Sequence, residues 1–149
     1  MQLLRKKDWG DISITSLCSH AGIARSSFYE HFKAKADLLD ELFAEEVDGI
    51  AISDQAGTPL GTLDWLVNHA SEAPGFFTQA MSGRRGDAIG PRFVAALINR
   101  LEQELAARAI PDAGAKAAYV IGGSIAYLLK ANDDEPCSQL QRWAAHVLS

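Results

Sequence analysis

Residues 21–32 carry side chains whose types and spacing suit contact with a nucleic acid. The segment reads AGIARSSFYEHF, with a glycine between two short helical patterns. A helix advances by about 100° per residue, so the second pattern gathers its polar side chains on one face. That face comprises Ser26, Tyr29 and Glu30, and it is flanked by Arg25 and Ser27. An arginine can bind guanine bidentately and hydroxyls reach phosphates or base edges, so these residues predict a surface that reads a major groove.

The opposite face of the same region is apolar and predicts a small core. Six residues are expected to point inward: Leu17, Cys18, Ala21, Ile23, Phe28 and Phe32. Ser13 is a suitable N-cap for a helix over about residues 14–20, and Gly22 can end that helix in the left-handed conformation. With a second helix over about residues 24–32, the layout is that of a helix-turn-helix. The pattern alone also fits an ordinary helical hairpin whose polar residues lie in water.

Helical periodicity extends over almost the whole chain, and no segment alternates like a strand. We therefore predict an all-α fold of about nine helices. They span about residues 2–8, 14–20, 24–32, 35–52, 59–72, 74–81, 91–109, 112–131 and 137–148. We expect two domains, a helix-turn-helix domain over residues 1–45 and a C-terminal domain over residues 46–149.

Charge is unevenly distributed along the chain. Residues 1–39 carry six Lys or Arg against four acidic residues, a charge of +2, which leaves −7 on the rest of a chain whose net charge is −5. The net charge argues against non-specific coating of nucleic acids or anionic membranes. A basic head on an acidic body is typical of a protein that meets phosphate only through the head.

The remaining residues do not indicate an enzyme or a metal site. The four histidines show no ligand spacing with carboxylates, and there is no HExxH or Ser/His/Asp arrangement: His20, His31, His69 and His146. Cys18 and Cys137 are isolated and are expected to be reduced. The longest apolar run, residues 117–129, is too short for the ~20 residues of a membrane helix, and no signal peptide is recognisable. We expect a cytoplasmic protein without cofactor or metal.

Residues 9–43, WGDISITSLCSHAGIARSSFYEHFKAKADLLDELF, resemble the DNA-binding signature of the tetracycline repressor (TetR) family of bacterial regulators. The matching positions are Trp9, Ser13, Ala21-Gly22-Ile23, Arg25, Phe28-Tyr29, His31-Phe32, Lys35 and Asp37-Leu38-Leu39. The resemblance implies that about residues 24–30 form the recognition helix.

The resemblance also implies a role for each matching polar residue. Bases would be contacted by Arg25, Ser26 and Tyr29, and the DNA backbone by Ser27, Tyr29 and His31. Lys35 would hold a phosphate at the N-terminus of the fourth helix, where free N–H groups add to its charge. Thr15 is a further candidate phosphate contact. For His31 the alternative is a core or capping histidine beside Phe32.

Three features depart from the family pattern. Ala24 stands where a Ser or Thr usually caps the recognition helix, which removes an acceptor worth about 0.5–2 kcal/mol. Glu30 occupies a position where a basic or neutral residue would ease the approach of phosphate, although it can accept from cytosine. The first helix is shorter than in the family, so we expect either a longer native N-terminus or a shortened start at Met1.

Residues 119–148 resemble the last two helices of one TetR subgroup, which build the dimer interface. The implied interface residues are Gly122, Gly123, Ile125, Leu140, Trp143 and Val147. Each glycine inside a helix costs about 1 kcal/mol relative to alanine. Close approach of a partner helix explains that cost, and packing of both glycines within the subunit is the alternative.

The helices between these regions would surround an effector cavity, if the resemblance holds. The candidate lining residues are Trp65, Phe76, Phe77, Met81, Phe93 and Tyr119, and the alternative is a solid core. The expected function is a dimeric transcriptional regulator, a repressor that a small apolar or aromatic effector releases from a palindromic DNA operator. The alternative is a dimeric interaction protein, or a degenerate regulator of the same fold, that has lost specific DNA binding.

Overall fold

The structure, a computed structural model, describes residues 9–81, 89–130 and 136–149, without the side chain of Phe76. In these ranges it contains a 3-10 turn, Trp9–Asp11, eight α-helices and no strand. The helices are α1 (Ile14–Ala21), α2 (Arg25–His31), α3 (Lys35–Asp48), α4 (Gly61–Glu72), α5 (Pro74–Met81), α6 (Ile89–Ala107), α7 (Ala113–Leu128) and α8 (Pro136–Leu148). The prediction of an all-α fold is confirmed. The predicted helix over residues 2–8 lies outside the described residues, and the other eight have their counterparts in order.

The largest difference from the predicted elements is the end of α3. The apolar periodicity predicts a helix to about residue 52, but α3 ends at Asp48 and the chain continues without helix to Leu60. The chain passes close to itself there, because a β-carbon at Gly61 would lie 2.0 Å from the carbonyl oxygen of Ala51. Tertiary packing of the 49–60 segment therefore overrides the local helical pattern.

A continuous hydrophobic core runs from the Trp9–Asp11 turn to α8. α6 is its central element and packs against both α3 and α7. The predicted domain boundary at residue 45 falls inside α3, whose buried Leu39, Phe43 and Val47 belong to the same core as residues of α6. The division into 1–45 and 46–149 stays a prediction.

Three arginines spaced eight residues apart, two in α6 and one directly after its end, hold α3 and the segment that follows it. Arg92 forms an ion pair with Asp40 of α3. Arg100 donates to the backbone carbonyls of Asp48 and Ile50 at the end of α3. Arg108 donates to three carbonyls further along, those of Ser53, Thr58 and Pro59. The position of α3 is thus fixed by polar contacts as well as by apolar packing.

None of the helices in the described ranges is both long enough and apolar enough to cross a membrane. The two cysteines are free: Cys18 is buried, and Cys137 is half-buried.

Candidate nucleic-acid interface

Residues at the ends of the two helices determine where the helices of the α1–α2 hairpin, residues 14–31, begin and end. Ser13 caps α1, because its Oγ accepts a hydrogen bond of 3.0 Å from the N–H of Ser16. Gly22 adopts the left-handed conformation, with φ of 68°, and ends α1. The N–H of Ile23 then donates to the carbonyl of Cys18 at 3.0 Å. The chain therefore reverses within three residues, and α2 begins at Arg25.

The hairpin has a small core of its own, centred on Cys18 and Phe28, which are buried. The rings of Phe28 and Phe32 lie 5.2 Å apart, and Leu17 is half-buried. The prediction that Ala21 and Ile23 point inward is wrong. Ala21 is exposed and Ile23 is 47% exposed, because the turn after Gly22 lies at the outer corner of the hairpin.

The polar face of α2 points outward, as the helical spacing indicates. Arg25, Ser26 and His31 are exposed, Ser27 is half-buried, and Tyr29 is 48% exposed. The Tyr29 ring meets the buried Phe28 ring edge-on, with 5.5 Å between centroids. The exposure of His31 disagrees with the alternative of a core histidine. The structure therefore brings five of the seven candidate DNA-binding residues onto one short helix.

Three further residues near this surface are exposed. Thr15, in the first turn of α1, is exposed, as a phosphate contact requires. Lys33 is exposed directly after α2; the sequence reasoning gave it no role, although its basic side chain next to the recognition helix was the available signal. Glu30 is also exposed and places one negative charge on the same helix.

Ala24 is the N-cap of α2 and has the extended conformation of a cap, with φ of −74° and ψ of 150°. No side chain accepts a hydrogen bond from the first turn at this position. The N-terminus of α2 thus lacks the acceptor that a serine or threonine would supply.

The side chain of Lys35, for which the resemblance implies a phosphate contact, makes two hydrogen bonds within the chain. Its Nζ donates to the backbone carbonyls of Trp9, at 2.5 Å, and Ile12, at 2.8 Å. It also lies 4.6 Å from the centroid of the Trp9 ring. An ammonium group has three donors, so at most one is left for a phosphate.

A second surface, the α7–α8 face, carries the glycines that were assigned to a dimer interface. A groove of about 1000 Å³ lies there, and its lining includes Tyr119, Gly122, Gly123, Leu140, Trp143 and Val147. A β-carbon on either glycine would have no neighbour within 4 Å, which argues against their packing within the subunit. Trp143 is 47% exposed, and its ring is held edge-on against Tyr127 at 4.9 Å.

Two of the six predicted interface residues are buried within the subunit. Leu140 is buried and forms part of the floor of the groove, and Ile125 is buried in the subunit core. The spacing places both on the inner side of their helices, so they support the face from beneath.

The predicted effector residues do not form one lining. Phe77 and Phe93 are buried in the core, Trp65 and Met81 are half-buried beside it, and the side chain of Phe76 lies outside the description. Tyr119 lies apart from these residues: it is 70% exposed and lines the groove on the α7–α8 face. The sequence reasoning missed His69, whose ring stacks on Trp65 at 4.6 Å and lies 5.5 Å from that of Phe93. His69 follows Trp65 by four residues, and this spacing places both rings on the same face of α4.

Within the described ranges no group of His, Cys, Asp or Glu side chains could hold a metal ion.

Residues 1–42 match a family model, that of the bacterial regulatory proteins of the tetR family. No curated protein and no solved structure matches the chain. The family match covers the α1–α2 hairpin and the first half of α3, and it ends before the α7–α8 face.

Proposed function

Because the chain belongs through its first 42 residues to the tetR family of bacterial regulatory proteins, we propose that it reads a specific DNA operator with α2. Its family domain is that of a DNA-binding transcriptional regulator. The observation that carries the proposal is the contrast in burial along α2: Phe28 is buried, while Arg25 and Tyr29 are exposed. Such a helix can enter a major groove while its inner face stays packed.

We assign distinct roles to the exposed residues of the hairpin. Arg25, Ser26 and Tyr29 contact base edges, and Ser27, Tyr29, His31 and Thr15 contact the DNA backbone. The guanidinium of Arg25 suits guanine, whose N7 and O6 accept two hydrogen bonds in the major groove. Because such a regulator acts where the DNA is, we place it in the cytoplasm.

The chain acts as a homodimer that joins two copies through the α7–α8 face. Gly122 and Gly123 leave room for a partner helix, and Trp143 and Val147 offer exposed apolar surface beside them. A two-fold dimer places two recognition helices about 34–36 Å apart, one turn of DNA. The operator is therefore a palindrome.

The regulator is a repressor that a small apolar or aromatic effector releases. The stack of Trp65, His69 and Phe93 supports this part of the proposal, because the first two rings are half-buried and can hold a flat ligand. Release requires that the effector bind more tightly to a conformation with wrongly spaced recognition helices. Thermal unfolding with a set of flat aromatic compounds tests it, since a ligand of the native state raises the Tm, and does so less in Trp65→Ala.

The experiment that tests DNA reading is selection of bound sequences from a pool of random duplexes. The proposal expects enrichment of one two-fold symmetric site, bound less tightly as salt rises. Failure to enrich any sequence, with protein that sediments as a folded dimer, would favour the alternative of an interaction protein that no longer binds DNA specifically.

A further inference from the structure

We propose that Glu30 is a specificity-determining residue: its carboxylate accepts a hydrogen bond from the N4 amine of a cytosine in the major groove of the operator. Glu30 is the one acidic residue of α2. This assignment rests on the proposed function and adds to it one base that α2 selects in each half of the operator.

Glu30 lies on the side of α2 that points away from the subunit. Phe28 is the buried residue of this helix. A helix turns by about 100° per residue, so the residues two positions before and after Phe28 point about 160° away from it. Those residues are Ser26 and Glu30, and both are exposed. While Phe28 stays packed, Ser26 and Glu30 form the outermost ridge of α2, which enters a groove first.

The two residues of this ridge differ in length and in charge. Ser26 is short and lets the backbone of α2 approach the bases. Glu30 is longer and carries its negative charge into the groove, whose edges are lined by phosphates. Such a charge lowers the affinity for DNA unless a donor on the DNA binds it.

The carboxylate of Glu30 has no side-chain partner among the residues that the structure describes. The ion pairs in those ranges are Arg92–Asp40 and Arg108–Glu104. Lys33, the nearest basic residue along the described chain, is exposed and does not pair with Glu30. The carboxylate therefore stabilises no contact of the described fold, and its oxygens are available to DNA.

The bases differ in what they offer a carboxylate in the major groove. An ionised carboxylate only accepts hydrogen bonds. Guanine and thymine present acceptors there, whereas cytosine presents the N4 amine and adenine the N6 amine. Adenine also has the N7 acceptor beside its amine, so a carboxylate that approaches adenine meets a lone pair as well. Glu30 therefore favours cytosine over the other three bases.

Selection from random duplexes by the wild type, Glu30→Ala and Glu46→Ala tests this preference. Glu46, an exposed acidic residue of α3, supplies the matched control. We expect the wild type and the control to prefer cytosine about tenfold at one position of each half-site, and Glu30→Ala to lose that preference while it keeps the rest of the site.

Two other outcomes of the selection are distinguishable from each other. An enriched site with the same base preferences in Glu30→Ala as in the wild type would overturn the role of Glu30 and leave the proposed function in place. If the wild type enriches no sequence, the proposed function fails and the role of Glu30 fails with it.

A duplex with N4-methylcytosine at the selected position tests the contact at the level of one atom. The methyl group replaces the amine hydrogen that faces the major groove, while the other amine hydrogen still pairs with guanine. We expect the methyl group to weaken binding of the wild type about tenfold and to change binding of Glu30→Ala less than about twofold. Equal weakening for both proteins would overturn the proposal.

The affinity for a scrambled duplex separates a base contact from a role in folding. Glu30→Ala removes a negative charge near the phosphates. We expect it to bind the scrambled duplex about twofold more tightly and the selected duplex about tenfold more weakly than the wild type. A damaged α2 would weaken binding to both duplexes, and equal weakening at both would overturn the proposal.

Discussion

Glu104 of α6 and Arg108, the first residue after that helix, form a buried ion pair, with 2.8 Å between Oε1 and Nη2. Their side chains are 0% and 6% exposed, respectively. The Glu104 carboxylate also accepts from the N–H groups of Gly61 and Thr62 and from the Thr62 hydroxyl, so it caps α4 from a different helix. The pair thereby fixes where the segment after α3 ends and α4 begins.

Replacement of Glu104 by alanine will destabilise the protein strongly. It leaves Arg108 as a buried charge without its partner and removes the acceptors at the start of α4. Breaking a buried pair costs about 3–5 kcal/mol. Urea denaturation measures this loss. Glu102→Ala, an exposed change on the same helix, should stay within about 0.5 kcal/mol of the wild type. Equal stabilities of the two variants would contradict the structural role of the pair.

A serine at residue 24 will stabilise the protein. Ala24 already has the backbone conformation of an N-cap and lacks only the acceptor. We expect Ala24→Ser to raise the free energy of unfolding by about 0.5–2 kcal/mol, and Ser13→Ala, which removes an existing cap, to lower it by a similar amount. Thermal unfolding compares the two. A loss of stability in Ala24→Ser would mean that α2 does not begin where the structure places it.

Cys137 will react slowly with alkylating reagents near neutral pH. Burial, the hydrogen bond from its Sγ to Asp64 Oδ1 and the charge of Asp64 raise its pKa from 9.0 to about 11. The neutral thiol is therefore favoured in the folded state. The stability that it contributes is present below pH 9.0 and is lost as the pH rises towards about 11.

The rate of alkylation by iodoacetamide at pH 8–9 measures this effect. Asp64→Asn removes the negative charge while burial remains, so the pKa of Cys137 should fall and the rate should rise. Labelling of Cys137 as fast in the wild type as in the unfolded chain would show that the thiol has no such environment.

A large side chain on the α7–α8 face will separate the dimer without unfolding the subunit. A β-carbon at Gly123 has no neighbour within 4 Å in the subunit, and leucine is a better helix former than glycine. We expect Gly123→Leu to sediment as a monomer with undiminished stability against urea. Ala95→Leu, an exposed change on α6, should remain dimeric. A Gly123→Leu protein that is still dimeric would place the interface elsewhere.

Local signals in the sequence were sufficient for the helices and for the corners of the hairpin. The apolar periodicity predicted eight helices that the structure contains, and Ser13 and Gly22 act as the caps that their residue types indicate. The outward face of α2 followed from spacing alone, because Phe28 fixes which side is buried.

What the sequence could not provide depends on contacts between distant residues. Lys35 donates to the carbonyls of Trp9 and Ile12 across more than twenty residues, and its position in the motif gives no sign of these contacts. Nothing near Glu104 in the sequence indicates that it caps α4. Tyr119 belongs to an apolar run in which periodicity does not tell the inner from the outer face.

The central claim, that the outer face of α2 reads DNA, is tested most directly by equilibrium binding of a selected duplex at fixed salt. Wild type is compared with the Arg25→Ala/Tyr29→Ala double variant, and Lys130→Ala, which removes an exposed cation after α7, is the control. We predict that the double variant binds about a hundredfold more weakly, since a bidentate arginine–base pair alone contributes about 1–3 kcal/mol. Its thermal unfolding should match the wild type and the control should bind normally. Equal affinity of the double variant and the wild type would contradict the claim.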